Sequence, residues 1–388
     1  MASPITTQHG HDASVVDLAR GDPGPALLPA ALVREAADRA TASLDPDLLQ
    51  YGHEPGDPGF RAALAAWLEA EGAGEVAPER LFVTAGASLA LHLVCALFTR
   101  PGERVLVADP TYHLALAQFA DHDLRVDGVA SDAEGIVPEA LAAALAAAPA
   151  ALLYLVPAFA NPSGATLSPA RQQAVVAIAE RHGVRVVADE VYRLTGFAET
   201  DRPRSLAAPG TEHVLSLNSF SKVLSPGLRL GWIEGPSEDL ERLARSGVLR
   251  SGGGLNPFVA AVVREAIVGG ALHAHLQHVR AVLAERHAVL REALHRDLPR
   301  ARFTPVAGGY FLWLRLPGLD VRAPALREAL RRHGVRVAPG TLFTPAADDG
   351  TARAAAREHL RVCFAHATPA ALREGVRRLA AALEEHDG

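Results

Sequence analysis

The sequence predicts an α/β fold in which a large domain carries a mostly parallel sheet between helices and a smaller α+β domain follows it. Three observations carry this. From about Leu81 to Gly235, short apolar runs alternate with longer helical patterns, as in a sheet covered by helices on both faces. Runs such as VRVVA, apolar almost throughout, suit strands buried on both sides. Beyond the glycine-rich SGGGLNPF, a strongly helical region extends to about Leu298, and shorter strand and helix patterns follow it.

In chain order, residues 1–45 read as an N-terminal arm that partly joins the small domain, 46–250 as the large domain and 251–388 as the small one. LQYGHEPGDPGFRAALAAWL enters the large domain through a turn and a helix. LFVTAG is a strand, LALHLVCALF a helix and VLVADP the next strand. The uncharged stretch from Ala140 to Ala160 is long enough to raise the question of a membrane span. Pro149 and Pro157 cut it, so it reads as a short helix followed by the buried strand LLYLV. The helix ARQQAVVAIAERHG and the strands VRVVADE, VLSLNSF and LRLGWIEG complete the alternation. In the last third, FLWLRLP, a helix, VRVAPG, HLRVCFA and a helix to Glu385 form the second unit.

Composition narrows the function. A formal charge of −6 over 388 residues, with arginines scattered, gives no electrostatic case for nucleic acid or an anionic membrane. Small-molecule chemistry is expected. Cys95 and Cys363 match neither a disulfide framework nor a metal-ligand spacing, so no metal is expected and a reducing cytoplasm is. The N-terminal MASPITTQHGHDASVVDLAR has neither the basic start nor the apolar run of a signal peptide.

Ligands of open parallel sheets gather at the carboxyl ends of the strands, and there the unusual residues fall. LFVTAG runs into Ala87 and Ser88, VLVADP is followed by Tyr112, ALLYLVP leads to Asn161, VRVVA ends at Asp189 with Tyr192 just beyond, and VLSLNSF ends at Ser221 and Lys222. Taken singly, each has a plain structural account as a turn, a cap or packing. Lys222 is different: the chain has 38 basic residues and every other one is arginine. A guanidinium stays protonated, whereas an amine can lose its proton and condense with a carbonyl, so position 222 calls for a Schiff base.

With SFSKVLSPGLRLGW, NPSG and DEVY on the page, the chain resembles the class I/II aminotransferases among the pyridoxal-phosphate enzymes of fold type I, in the branch of aminoadipate aminotransferases and MocR effector domains. VDLARGDPGPALLP, GGYFLWLRLP, GVRVAPGTLF and HLRVCFA extend the resemblance over nearly the whole length. It implies a seven-stranded sheet in the large domain, pyridoxal 5′-phosphate as cofactor, amino acid and 2-oxo acid substrates, and a cytoplasmic homodimer with shared sites. Lys222 resembles the lysine that binds the cofactor and shuttles the substrate proton, and Asp189 the carboxylate on the pyridine nitrogen. Tyr192 and Asn161 match groups on the ring oxygen, and Tyr112 the stacking aromatic. Gly86, Ala87, Ser88, Ser219, Ser221 and Arg229 match the phosphate site, with Tyr51 reaching it from the neighbouring subunit. Arg361 matches the grip on the substrate α-carboxylate, with Asn161 beside it and Arg20 as a contact for the substrate side chain.

Two positions depart from the branch: Ala160 and Ser88 stand where glutamine is common. These changes leave the cofactor chemistry intact and bear on the substrate pocket and the phosphate contacts. Transamination leads the reading. Elimination or replacement at the β or γ carbon, cyclisation and oxidation share its first steps, and no motif separates them. A non-catalytic sensor of the MocR kind ranks third.

Overall fold

The computed structural model describes residues 14–42, 46–198, 202–208, 211–345 and 351–387; the rest of the predicted N-terminal arm, residues 1–13 and 43–45, lies outside them. Its elements are β1 (Val16–Asp17), α1 (Ala30–Ala42), α2 (Pro58–Ala70), β2 (Leu81–Thr84), α3 (Ala87–Phe98), β3 (Arg104–Asp109), α4 (His113–Asp121), β4 (Arg125–Asp132), β5 (Gly135–Ile136), α5 (Pro138–Ala147), β6 (Leu152–Leu155), α6 (Pro169–Arg181), β7 (Arg185–Asp189), β8 (Val214–Ser219) and β9 (Gly231–Glu234). These are followed by α7 (Ser237–Ala244), α8 (Gly247–Gly252), α9 (Pro257–Val268), α10 (Ala271–Asp297), β10 (Phe311–Arg315), α11 (Pro324–Arg332), β11 (Val335–Arg336), β12 (Ala338–Pro339), α12 (Thr351–Ala356), β13 (His359–Cys363) and α13 (Pro369–Asp387).

Local chemistry starts several helices where they begin. Pro58 opens α2 behind Asp57, whose carboxylate accepts from the Phe60 amide at 2.6 Å. Ser168 caps α6 in the same way, with Pro169 at the first position and the Arg171 amide 3.3 Å away.

The main sheet runs β2-β9-β8-β7-β6-β3-β4-β5. Seven strands form the body and the two-residue β5 hairpins back onto β4. Strands β8, β7, β6, β3 and β4 are parallel, while β9 runs antiparallel between β2 and β8. The pleat divides β6 between two cores: Leu152 and Tyr154 face one helical layer with α3, whereas Leu153 and Leu155 face α5 and α6. A second sheet, β10-β13-β12, is antiparallel, with Trp313 opposite Arg361, and it backs onto α10 and α13. The N-terminal β1 pairs in parallel with β11. No single helix among the described residues is long and apolar enough to cross a membrane; α9 and α10 reach that measure only as a pair bent by 80°.

Candidate active site

The parallel strands aim their carboxyl ends at one rim, and β9, being antiparallel, delivers Arg229 there from its start. Lys222 follows β8, and its Nζ donates to the Gly21 carbonyl at 2.6 Å. The ring centroids of Tyr192 and Tyr310 lie 5.6 and 5.5 Å from that nitrogen, and the Tyr310 hydroxyl donates to the Lys222 carbonyl at 2.7 Å. Burial lowers the Lys222 pKa and nearby Arg361 adds to this, against the opposing carboxylates of Asp22 and Asp189. The amine is biased towards its neutral, nucleophilic form.

Asp189 ends β7 on the same face as Tyr154, whose hydroxyl donates to its Oδ2 at 2.8 Å. Its Oδ1 is buried without a hydrogen-bond partner. Burial pushes the carboxyl up to about 6, with Tyr154, the Val191 amide and Lys222 pulling it back. A buried carboxylate oxygen lacking a donor is uncommon, and a protonated ring nitrogen would supply one.

The amino end of α3 makes an anion corner. Gly86 caps the helix at φ +88° with no side-chain cap, leaving the first-turn amides of Ala87 and Ser88 to face a ligand. A Cβ on Gly86 would stand 3.0 Å from Arg229 Nη2, and one on Gly231 would stand 2.4 Å from the Asn218 carbonyl, so backbone and guanidinium meet only because both positions are glycine. Arg229 Nη2 donates to the Ala85 carbonyl at 3.0 Å, and the Ser219 and Ser221 hydroxyls lie 2.8 Å apart. This fits a phosphate: helix amides, a guanidinium and two hydroxyls.

On the opposite side, Arg361 is buried in β13. Its Nη1 donates to Asn161 Oδ1 at 2.8 Å and its Nη2 to the Ala19 carbonyl at 2.6 Å, which fixes the fork. Phe311 and Phe343 lie 4.2 and 4.9 Å from its Cζ. Tyr112 immediately precedes α4 and shares the pocket; burial pushes its phenol up to about 12, with the Asp189 charge adding to the rise. Two expected residues stand apart from this cluster. Tyr51 is 76 % exposed within one chain. Arg20 borders the site on the arm but is bound to Asp22, with Nη2 to Oδ2 at 2.8 Å.

The sequence reading missed Tyr154, Tyr310, Phe311, Phe343 and the arm carbonyls of Ala19 and Gly21. Tyr154 left one signal: a tyrosine inside a run as apolar as LLYLV must find a partner for its hydroxyl.

Comparison with known proteins gives the family. The family described as "Aminotransferase class I and II" matches residues 13–379. The 2-aminoadipate transaminase of Thermus thermophilus is 33 % identical over 380 residues, covering 95 % of this chain and 90 % of the relative. The uncharacterized HTH-type transcriptional regulator YdcR of Escherichia coli is 31 % identical over 341 residues, which is 87 % of this chain and 72 % of that protein. Among solved structures, the α-aminoadipate aminotransferase LysN of Thermus thermophilus, complexed with N-(5′-phosphopyridoxyl)-L-leucine, superposes with a TM-score of 0.85 at 31 % identity, covering 96 % of this chain and 93 % of that one. The orphaned Asp189 oxygen, the uncapped helix and the single lysine are the features such a cofactor needs, and the chain belongs to the class I and II aminotransferases: it is a pyridoxal-phosphate-dependent aminotransferase of fold type I.

Proposed function

We propose that Lys222, Asp189 and Arg361 are the working parts of a transamination between an α-amino acid and a 2-oxo acid. The observation that carries this reading is the convergence of a neutral-biased amine, a half-satisfied buried carboxylate and a held guanidinium on one rim. Pyridoxal phosphate, when bound, supplies the electron sink for charge developing at the substrate Cα.

Each residue then has a task. Lys222 would hold the cofactor through its amine, and that amine is placed to take and return the proton at the substrate Cα. Asp189, whose charged form the Tyr154 hydroxyl favours against the effect of burial, would pair with the cofactor's pyridine nitrogen. Tyr192 and Asn161 would serve the cofactor's ring oxygen, and Tyr112 would offer its ring to the cofactor's face. The Gly86–Ser88 turn, Ser219, Ser221 and Arg229 take the phosphate. Arg361, braced by Asn161 and Ala19, would grip the substrate α-carboxylate with its planar fork and so fix the orientation of the bonds at Cα.

We further propose a cytoplasmic homodimer in which the partner subunit's Tyr51 completes the phosphate site. Leu49, Tyr51, Val248, Phe258 and Val268 are among the exposed large apolar side chains that a partner subunit would cover, and two buried free thiols suit a reducing compartment. The division at residues 45 and 250 is part of the same reading.

The test mixes the yellow protein with a panel of amino acids and no acceptor. Stoichiometric conversion to the pyridoxamine form, with release of a 2-oxo acid, is the expected result. Catalytic turnover without pyridoxamine would move the reaction to elimination, replacement or cyclisation. Lys222→Ala should abolish the visible cofactor absorbance while the protein stays folded; an unchanged spectrum would remove Lys222 from its role.

A further inference from the structure

Residues 19–21 lie across the site. The Ala19 carbonyl receives Arg361 Nη2 and the Gly21 carbonyl receives Lys222 Nζ, each at 2.6 Å. Arg20 is carried on the arm between the residue that braces the carboxylate grip and the one that holds the lysine. A substrate with a second carboxylate needs a second cation, because a buried anion without a partner is costly.

Arg20 is committed elsewhere. Its Nε and Nη2 donate to the two oxygens of Asp22 at 3.1 and 2.8 Å, a fork-on-carboxylate pair. Asp17 Oδ1 accepts from the Ala19 and Arg20 amides at 2.9 and 3.2 Å, which pins the turn carrying the pair. His366 Nδ1 stands 3.7 Å from Asp22 on the other side. Asp22 is two residues from Arg20, so its effective concentration is that of an intramolecular partner, and an incoming carboxylate competes at a disadvantage. Among the described residues, two further arginines are also engaged: Arg286, buried on α10, donates to the Ala365 carbonyl, and Arg229 lies at the anion corner with Nη2 on the Ala85 carbonyl. Beside Arg20 the arm packs on an aromatic wall, since the Phe311 ring would lie 3.0 Å from a Cβ on Gly21.

We propose that Asp22 quenches Arg20 as a side-chain receptor, so that this enzyme takes α-amino acids with uncharged, apolar or aromatic side chains and disfavours acidic ones. The inference rests on the transamination reading above. Asp22 acts as a specificity-determining residue that need not touch the substrate.

The experiment measures single-turnover conversion of the cofactor-loaded enzyme by L-leucine, L-phenylalanine, L-glutamate and L-2-aminoadipate, for the wild type, D22N and the double variant R20Q/D22N. Cofactor absorbance checks that each variant is folded and loaded, and D22A replaces D22N if D22N fails that check. Wild type should favour the neutral pair at least about tenfold in specificity constant, the worth of a charge-assisted bond. D22N should move the acidic-to-neutral ratio at least about tenfold towards the acids, and R20Q/D22N should return it. Wild-type preference for the acids, an unmoved ratio in D22N, or a shift that survives R20Q would each overturn the proposal. Loaded enzyme that converts no amino acid at all would instead overturn the transamination reading, and this inference with it.

Discussion

Asp189 carries a conflict between stability and function that can be measured directly. Its carboxyl titrates at about 6 in the folded chain against an ordinary 3.8, because burial penalises the charged form more than Tyr154 and the Val191 amide favour it. A raised carboxyl pKa means that the folded protein holds a proton the unfolded chain has released, so stability falls as pH rises from about 4 through about 6 and is flat above. Moving the carboxyl from 3.8 to about 6 corresponds to about 3 kcal/mol for cofactor-free protein at pH 7.5. Asp189→Asn removes the titration and keeps the shape. Its amide leaves one buried group imperfectly paired, which costs about 1–3 kcal/mol at every pH and cancels in a comparison between two pH values. Denaturant unfolding of cofactor-free protein at pH 4.5 and 7.5 should show the variant gaining about 2 kcal/mol on the wild type across that interval. Added pyridoxal phosphate should reverse the order, since the wild-type carboxylate gains a charged partner and the amide does not; the variant's cofactor affinity should drop about 10- to 100-fold. A wild-type-minus-variant stability difference that is the same at both pH values would refute the reasoning, and equal cofactor affinity would refute the pairing.

Three further outcomes follow from other parts of the structure. Gly86→Ala places a Cβ at φ +88° and 3.0 Å from Arg229 Nη2, so it should lose about 1–2 kcal/mol of stability and, more tellingly, weaken cofactor affinity, read by fluorescence titration. Glu71→Ala removes a fully buried carboxylate that holds Arg280 at 2.8 Å and Arg202 at 3.4 Å where α2 meets α10; unfolding should become easier by about 3–5 kcal/mol with the cofactor spectrum of the surviving fold unchanged. Arg361→Lys keeps the charge but loses the fork that spans Asn161 and Ala19, so KM for the amino acid should rise by about 10-fold or more, and a steady-state profile with unaltered KM would exclude it from carboxylate binding.

Much of the sheet was legible because its inner strands are apolar on both faces. β4 was not: it lies next to the sheet's edge, alternates little, and reads RVDGVASD with only Val129 fully buried, so neither an apolar run nor a strict period of 2 marks it. The rim was legible for a related reason, since a polar residue at the end of an apolar run is conspicuous. Tyr154, Phe311 and Phe343 were hidden because an aromatic inside a strand or beside a turn reads first as packing.

By itself the sequence determined the alternation that makes a parallel sheet, the rim on which Asn161, Asp189 and Lys222 fall, and the one amine able to form a Schiff base, because these depend on local pattern and residue chemistry. Only the tertiary structure decided which groups complete them. The Tyr154 bond to Asp189, the Asn161 and Ala19 brace on Arg361, and the Gly21 carbonyl on Lys222 join residues 35, 200, 342 and 201 positions apart. The partner of a buried polar group is set by which strands and arms the fold brings side by side, and a linear pattern does not carry that information.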